Sequence, residues 1–446
     1  MKADFATNLN RILFILILFL NLMIKFNHPA WEGFSDPYDY LRQSKISLAD
    51  KEFYFPHRVG DFDPRPFTVP LFYKIAGSDA NMIVIMQKFF HTLATWFLAF
   101  ALLFYIQRKY LRITIVVFIY LFTSWWNILG WANLLLSESL SITFLFLWIA
   151  SFLILYKKRN TWTISLHILI AVLFSFTRDS WPYILIIFYT LFLFYQWIQK
   201  KKKVHFAAAM LLLSIGIFFI QQHSAKIGKR YRLPIMNTIV VRILPNDSYT
   251  EWFVRNGMPC AGKLKTEYQG TIADDPKIYN LYNDPDYQEF FNWIDSQGQK
   301  TYTRFILTHP GYFLLFHESK EGRGRIFSYM LKNTAGIYGY SHASTAVFPV
   351  FNLILIIFLN AILIFFFLKR KNFIFFYPVA LTIITSCNAL LIYNADALEV
   401  ERHMVFTNIL IQLIGIVSVF VILDNISFSK AVKTIFSRYN ILHSAR

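Results

Sequence analysis

Ten nearly uninterrupted apolar runs constrain this chain more than any other feature. They cover roughly residues 11–27, 81–106, 112–128, 134–156, 161–177, 182–199, 204–222, 346–368, 373–393 and 402–423. Crossing a hydrocarbon layer of about 30 Å as a helix takes roughly 20 residues, and runs this continuous do not alternate as barrel strands do. A lipid-facing backbone must satisfy its own hydrogen bonds, so each run is expected to be helical. With 56% hydrophobic and only 16% charged residues, the chain lies outside the range of ordinary soluble proteins. The expected fold is an all-α polytopic membrane protein with about ten transmembrane helices and two large exterior segments.

A net charge of +18 would suit a nucleic-acid partner only if the bases shared one folded face. They fall instead in short clusters between apolar runs: Arg108, Lys109 and Arg112; Lys157 to Arg159; Lys200 to Lys203; Lys369 to Lys371; and Lys430, Lys433 and Arg438. Basic loops stay in the cytoplasm, so ten crossings put every cluster and both termini on that side, in a multi-pass plasma-membrane protein with no nucleic-acid partner. The acids behave differently: eight of the 26 lie between residues 28 and 80 and eleven between 223 and 345. Both stretches are then exterior. The expected organisation is an N-terminal membrane module (1–222) carrying an exterior loop (28–80), an exterior segment (223–345) that covers the site, and C-terminal helices with a basic tail (346–446). No small-residue cleavage site follows the first run, which is expected to act as an uncleaved anchor. Cys260 and Cys387 lie in unlike surroundings and suggest neither a disulfide nor a metal site.

The exterior loop is unusually long for a connection and rich in acids, aromatics and prolines. Asp36 and Asp39 flank Pro37 and Tyr38, with Tyr40 following and Arg65-Pro66 further on. A carboxylate there can take the proton of an attacking hydroxyl if it lies within hydrogen-bond reach. The same residues also suit a helix start. Ionisable groups at the rims of apolar runs are costly and therefore suggestive: Lys88, Glu138, Arg178, and Glu401-Arg402-His403 all fall toward the exterior side. Cations there suit a lipid-anchored phosphate, because arginine presents a planar fork to paired oxygens.

The order of these features resembles the GT-C superfamily of membrane glycosyltransferases, which includes protein mannosyltransferases and bacterial polyprenyl-phosphate sugar transferases. Asp36-Pro37-Tyr38-Asp39-Tyr40 resembles its acidic segment after the first helix. Arg65-Pro66 through Pro70-Leu71 resembles its proline-rich stretch, Ser137-Glu138-Ser139-Leu140 its helix-start motif, and Glu401-Arg402-His403 its late E-R-Y. Arg242 to Pro245, with Asn256 to Pro259, is similar to a stretch of poorly characterised bacterial members. The resemblance implies a GT-C-like fold and transfer of a sugar from a polyprenyl-phosphate donor to an exterior acceptor: lipid, glycan or protein. Asp36 or Asp39 would be the catalytic base. Arg402, Arg178 and Lys88 would hold the donor phosphate, supported by Arg65, Glu138, Tyr40, Glu401 and His403. Pro37 stands where several members carry a second acid that binds a divalent metal, so no cofactor or metal is expected. Trp252, Tyr268 and Trp293 are expected to stack on sugars. The alternatives are a transporter or flippase of lipid-linked saccharides, and a noncatalytic component that binds a partner through its exterior segment.

Overall fold

The computed structural model describes residues 5–23, 36–59, 62–199, 204–270, 281, 284–315, 351–395 and 400–426. Among these, helices dominate and no strand occurs, apart from one isolated bridge between Val59 and Phe62. Each apolar run forms a helix: α1 (Phe5–Met23), α2 (Ala80–Leu103), α3 (Lys109–Thr123), α4 (Ser137–Lys157), α5 (Thr161–Ser175), α6 (Trp181–Ile198), α7 (Val204–Ile227), α8 (Leu353–Arg370), α9 (Phe373–Ala395) and α10 (Val405–Asn425). The chain is an all-α multi-pass membrane protein. Eight of these helices are long and apolar enough to cross a bilayer, whereas α3 and α5 have 15 residues each. The expected boundary at residue 222 falls inside α7, which continues to Ile227.

The helices pack around one core, α4 against α5, α6 against α7 and α9 against α10 as antiparallel neighbours, and α2 against α4 and α8 against α10 side by side in the same direction, their C-terminal ends joined by Tyr105 to Leu153 and by Arg370 to Asn425. Helices α4 and α10 are central and almost wholly buried. Helices α1, α7 and α8 leave large apolar side chains such as Ile15, Leu212 and Leu368 uncovered. A bilayer accounts for that, since water would penalise such faces. The short helix α5 starts three residues after α4 ends, and Arg178 just beyond it reaches Glu138 at the start of α4. The segment from Thr161 to Arg178 therefore runs back along α4, the helix itself covering about 22 Å of it. Helix α3 stops level with His91 of α2, whose ring meets the Thr123 carbonyl, and two short helical turns carry the chain on to α4.

The two ends of the bundle differ. At one end Asp424 accepts from the backbone N–H groups of Gln107 and Arg108, and Arg370 donates to Asn425. There Lys157, Lys158 and Arg159 lie over the rings of Tyr105, Phe104 and Phe206. The opposite end carries the first loop, folded into the short helices Asp36–Ser44, Lys51–Phe53 and Thr68–Ile75 over a small core with Tyr40, Tyr73 and Leu140. Lys74 donates to the carbonyls of Ser44 and Ile46, satisfying acceptors at the C-terminus of the first of these helices. The second polar segment has its own core, built on residues such as Ile239, Phe253, Tyr287 and Phe305. It is pinned to the end of α9, where Tyr302 donates to the Asn394 carbonyl and Arg242 to that of Tyr393.

Inside the bundle, one polar cluster closes on itself without charge. Ser151 of α4 bonds the Trp148 carbonyl and His167 Nδ1, and His167 Nε2 meets the Tyr189 hydroxyl of α6 at 2.6 Å. Trp148 Nε1–H donates to that same hydroxyl. If Tyr189 donates to Nε2, the ring is satisfied with a neutral imidazole protonated on Nδ1, the state a low-dielectric interior favours. Gly415 of α10 lies against the Phe351 ring, and Gln412 holds the Phe351 backbone through both its N–H and its carbonyl. A Cβ at position 415 would overlap that ring. Gly415→Ala is expected to cost about 1–3 kcal/mol by overpacking and to lower the thermal midpoint in detergent. Gly216→Ala, on α7 with nothing within 4 Å of the added carbon, is expected to leave the midpoint unchanged or slightly raised.

Candidate functional site

Helical periodicity puts Asp36, Asp39, Tyr40 and Gln43 on one face of Asp36–Ser44, and both acids occupy its first turn, where the helix dipole favours negative charge. Glu138 sits likewise in the first turn of α4 and is fully buried. Between these helix starts lies Arg402, at 6% exposure. Its Nη2 donates to Asp36 Oδ2 at 2.7 Å and its Nε to Glu138 Oε1 at 2.7 Å. The same Glu138 oxygen accepts from Arg178 Nη1 at 3.2 Å, and Arg178 Nη2 bonds His403 Nδ1. Arg65 Nη2 reaches Asp36 Oδ1 at 2.6 Å, Asp39 Oδ2 at 3.2 Å and Asp63 Oδ2 at 3.4 Å. Residues from both ends of the chain thus share one network.

Burial opposes ionisation of Asp36, but the guanidinium groups of Arg65 and Arg402 more than offset it and hold its carboxyl well below the usual carboxylate range. Asp39 behaves oppositely. Burial outweighs its more distant contact with Arg65 and pushes it up to about 6. Burial and the neighbouring arginines hold His403 well below the usual imidazole range. It is therefore neutral, and its Nδ1 accepts from Arg178. Burial raises Tyr40 to about 12, so it stays a phenol.

Of the site residues expected from sequence, the network contains Asp36, Asp39, Arg65, Glu138, Arg178, Arg402 and His403, and the Arg65 guanidinium also lies over the Tyr40 ring. Lys88 is buried about two turns into α2 and takes part in none of these ion pairs. The Glu401 side chain lies outside the described residues. Tyr268 and Trp293 are core residues of the second segment, so the expectation that they stack on sugars is corrected; Trp252, half-buried, faces the His309 ring instead. Sequence reasoning missed Gln43. Its amide donates to the carbonyls of Phe53 and Arg65 and accepts from the Arg65 N–H, fixing the backbone that aims Arg65. Its spacing of four from Asp39 was the available signal.

The fold and this network define the class: a multi-pass helical membrane protein with a buried carboxylate–guanidinium cluster at one end of its bundle. No protein-family model matches the chain, and no curated protein is detectably similar to it.

Removing one partner of a buried pair strands the other charge. Glu138→Ala is expected to cost about 3–5 kcal/mol, read as a lowered unfolding midpoint, because Arg402 and Arg178 both lose their shared acceptor. Asp39 adds a pH signature. Its folded-state value lies above the ordinary 3.8, so the native state binds the extra proton and stability falls as pH rises from about 4 through 6. Asp39→Asn should flatten that limb of the stability–pH curve.

Proposed function

We propose that the protein is a GT-C-like membrane glycosyltransferase, in which α3 and α5 complete ten crossings and the carboxylate–guanidinium end faces the exterior of the plasma membrane, with both termini cytoplasmic. The donor is a polyprenyl-phosphate sugar and the acceptor an exterior hydroxyl on a lipid, glycan or protein. The observation that carries this reading is the 2.7 Å contact between Asp36 and Arg402, 366 residues apart in sequence. It brings the helix that carries Asp36 and Asp39 against a cation suited to phosphate, at the end of the bundle away from the basic residues 108–112, 157–159 and 369–371. A functional role explains so many buried charges better than stability does, since buried ion pairs add little net stability.

In the proposed reaction a carboxylate of the Asp36–Ser44 helix takes the proton of the acceptor hydroxyl. The acceptor oxygen bonds the anomeric carbon as the bond from that carbon to the phosphate oxygen breaks. The leaving polyprenyl phosphate keeps the electron pair and is held by Arg402 and Arg178, with Lys88 deeper along α2. The stereochemical outcome is inversion. Charge placed in advance around the leaving phosphate supplies much of the acceleration.

The test uses purified protein in liposomes with a panel of radiolabelled polyprenyl-phosphate hexoses and pentoses, and cell-envelope extract as acceptor. Label is expected to leave the lipid fraction, and Arg402→Gln to slow this at least about a hundredfold, the scale of losing one preorganised charge contact. Movement of intact lipid-linked sugar across the bilayer without cleavage would instead support the flippase reading.

A further inference from the structure

The two acids of the Asp36–Ser44 helix occupy different electrostatic positions, and the difference divides their labour. Both oxygens of Asp36 are engaged by guanidinium groups at short range, Oδ1 by Arg65 at 2.6 Å and Oδ2 by Arg402 at 2.7 Å. Among the described residues, Asp39 accepts only from the Asp63 N–H and Arg65 Nη2, each at 3.2 Å. That Nη2 carries two hydrogens and faces three carboxylates, those of Asp36, Asp39 and Asp63, with Asp36 much the nearest. Among the described residues the buried Arg65 Nε has no hydrogen-bond partner, so it does not serve Asp39. An acid clamped by two arginines is a poor proton acceptor, whereas an under-served acid on the same face is a good one.

We propose that Asp39 is the residue that takes the acceptor's proton, and that Asp36 is a positioning residue that aligns Arg65 and Arg402. This assignment rests on the transferase reading and sharpens it. The proton of the acceptor hydroxyl passes to an Asp39 oxygen while the acceptor oxygen forms the new glycosidic bond and the polyprenyl phosphate departs with its electron pair. The charged groups that act on Asp39 are Arg65 and Asp63, with Arg58 from the segment packed against it paired to Asp63 and Asp36, on its own helix, sharing Arg65. Burial raises Asp39 into the range where a base titrates near its working pH, while Asp36 stays ionised.

Two measurements on the full-length protein test this. The first needs no turnover: dicyclohexylcarbodiimide attacks protonated carboxyls in apolar surroundings, so labelling followed by peptide mass spectrometry reports each acid separately. Asp39 is expected to be modified with half-maximal labelling near pH 6, and Asp36 to stay unmodified at every pH. Labelling of Asp36, or of neither acid, would overturn the assignment whether or not the protein transfers sugar. The second is the pH–rate profile of transfer. The wild type is expected to gain rate as pH rises through about 6; Asp36→Asn should lower the rate and keep that limb, and Asp39→Asn should lower it and abolish the limb. An acidic limb that disappears with Asp36→Asn and survives Asp39→Asn would reverse the roles. Site-selective labelling of Asp39 without any transfer would uphold its charge state and refute the transferase reading alone.

Discussion

Arg402 bridging Asp36 and Glu138 is the interaction on which the arrangement of this end of the molecule depends. The three side chains come from the short helix at the start of the bundle, the first turn of α4 and the entry to α10. Each would be expensive to bury alone. Together they are affordable only because every charge faces an opposite one within hydrogen-bond distance, and because the two acids sit at helix N-termini where the backbone already favours negative charge. The folding of the first loop follows from this. Gln43 fixes the Arg65 backbone, Lys74 satisfies the end of the acidic helix, and the Thr68 N–H reaches the Phe176 carbonyl near Arg178.

Two polar clusters deeper in the bundle are built without charge. Mid-bundle, Ser151, His167, Tyr189 and Trp148 close a neutral ring, and Gln412 clasps the Phe351 backbone. These contacts join helices without stranding a charge in low dielectric. Charge is concentrated at one end, in a group where four arginines (Arg58, Arg65, Arg178 and Arg402) face four acids (Asp36, Asp39, Asp63 and Glu138). Under the proposed transferase reading, an anionic headgroup entering such a set would compete with resident carboxylates for guanidinium donors, which would favour groups that offer paired oxygens.

The membrane helices were legible because a bilayer imposes one rule on every residue of a run. Their ends were less so, as with the extension of α7 to Ile227 and the early stop of α3 at Thr123, since polar flanks and tertiary contacts set those limits. Within the site, Glu138, Arg178 and Arg402 stood out as charges at the rims of apolar runs, and Asp36 as an acid of the long exterior loop. Their mutual contacts were not legible, because separations of 264 and 366 residues between partners carry no local signal. Gln43 escaped notice because an uncharged amide in a polar loop has nothing to distinguish it until the helix places it beside Asp39. The aromatics of the second segment misled for the opposite reason. Trp293 and Tyr268 look available in a polar sequence but fill a core that this segment builds for itself.

On the proposed reading, the guanidinium cluster holds the phosphate of a lipid-linked sugar. Native mass spectrometry of the detergent-purified protein, titrated with a polyprenyl-phosphate hexose and with the matching polyprenol lacking phosphate, tests it most directly. A one-to-one adduct with the phosphorylated lipid is expected, lost in Arg402→Gln and kept in Asp39→Asn. Equal binding of both lipids, or an adduct indifferent to Arg402, would contradict it.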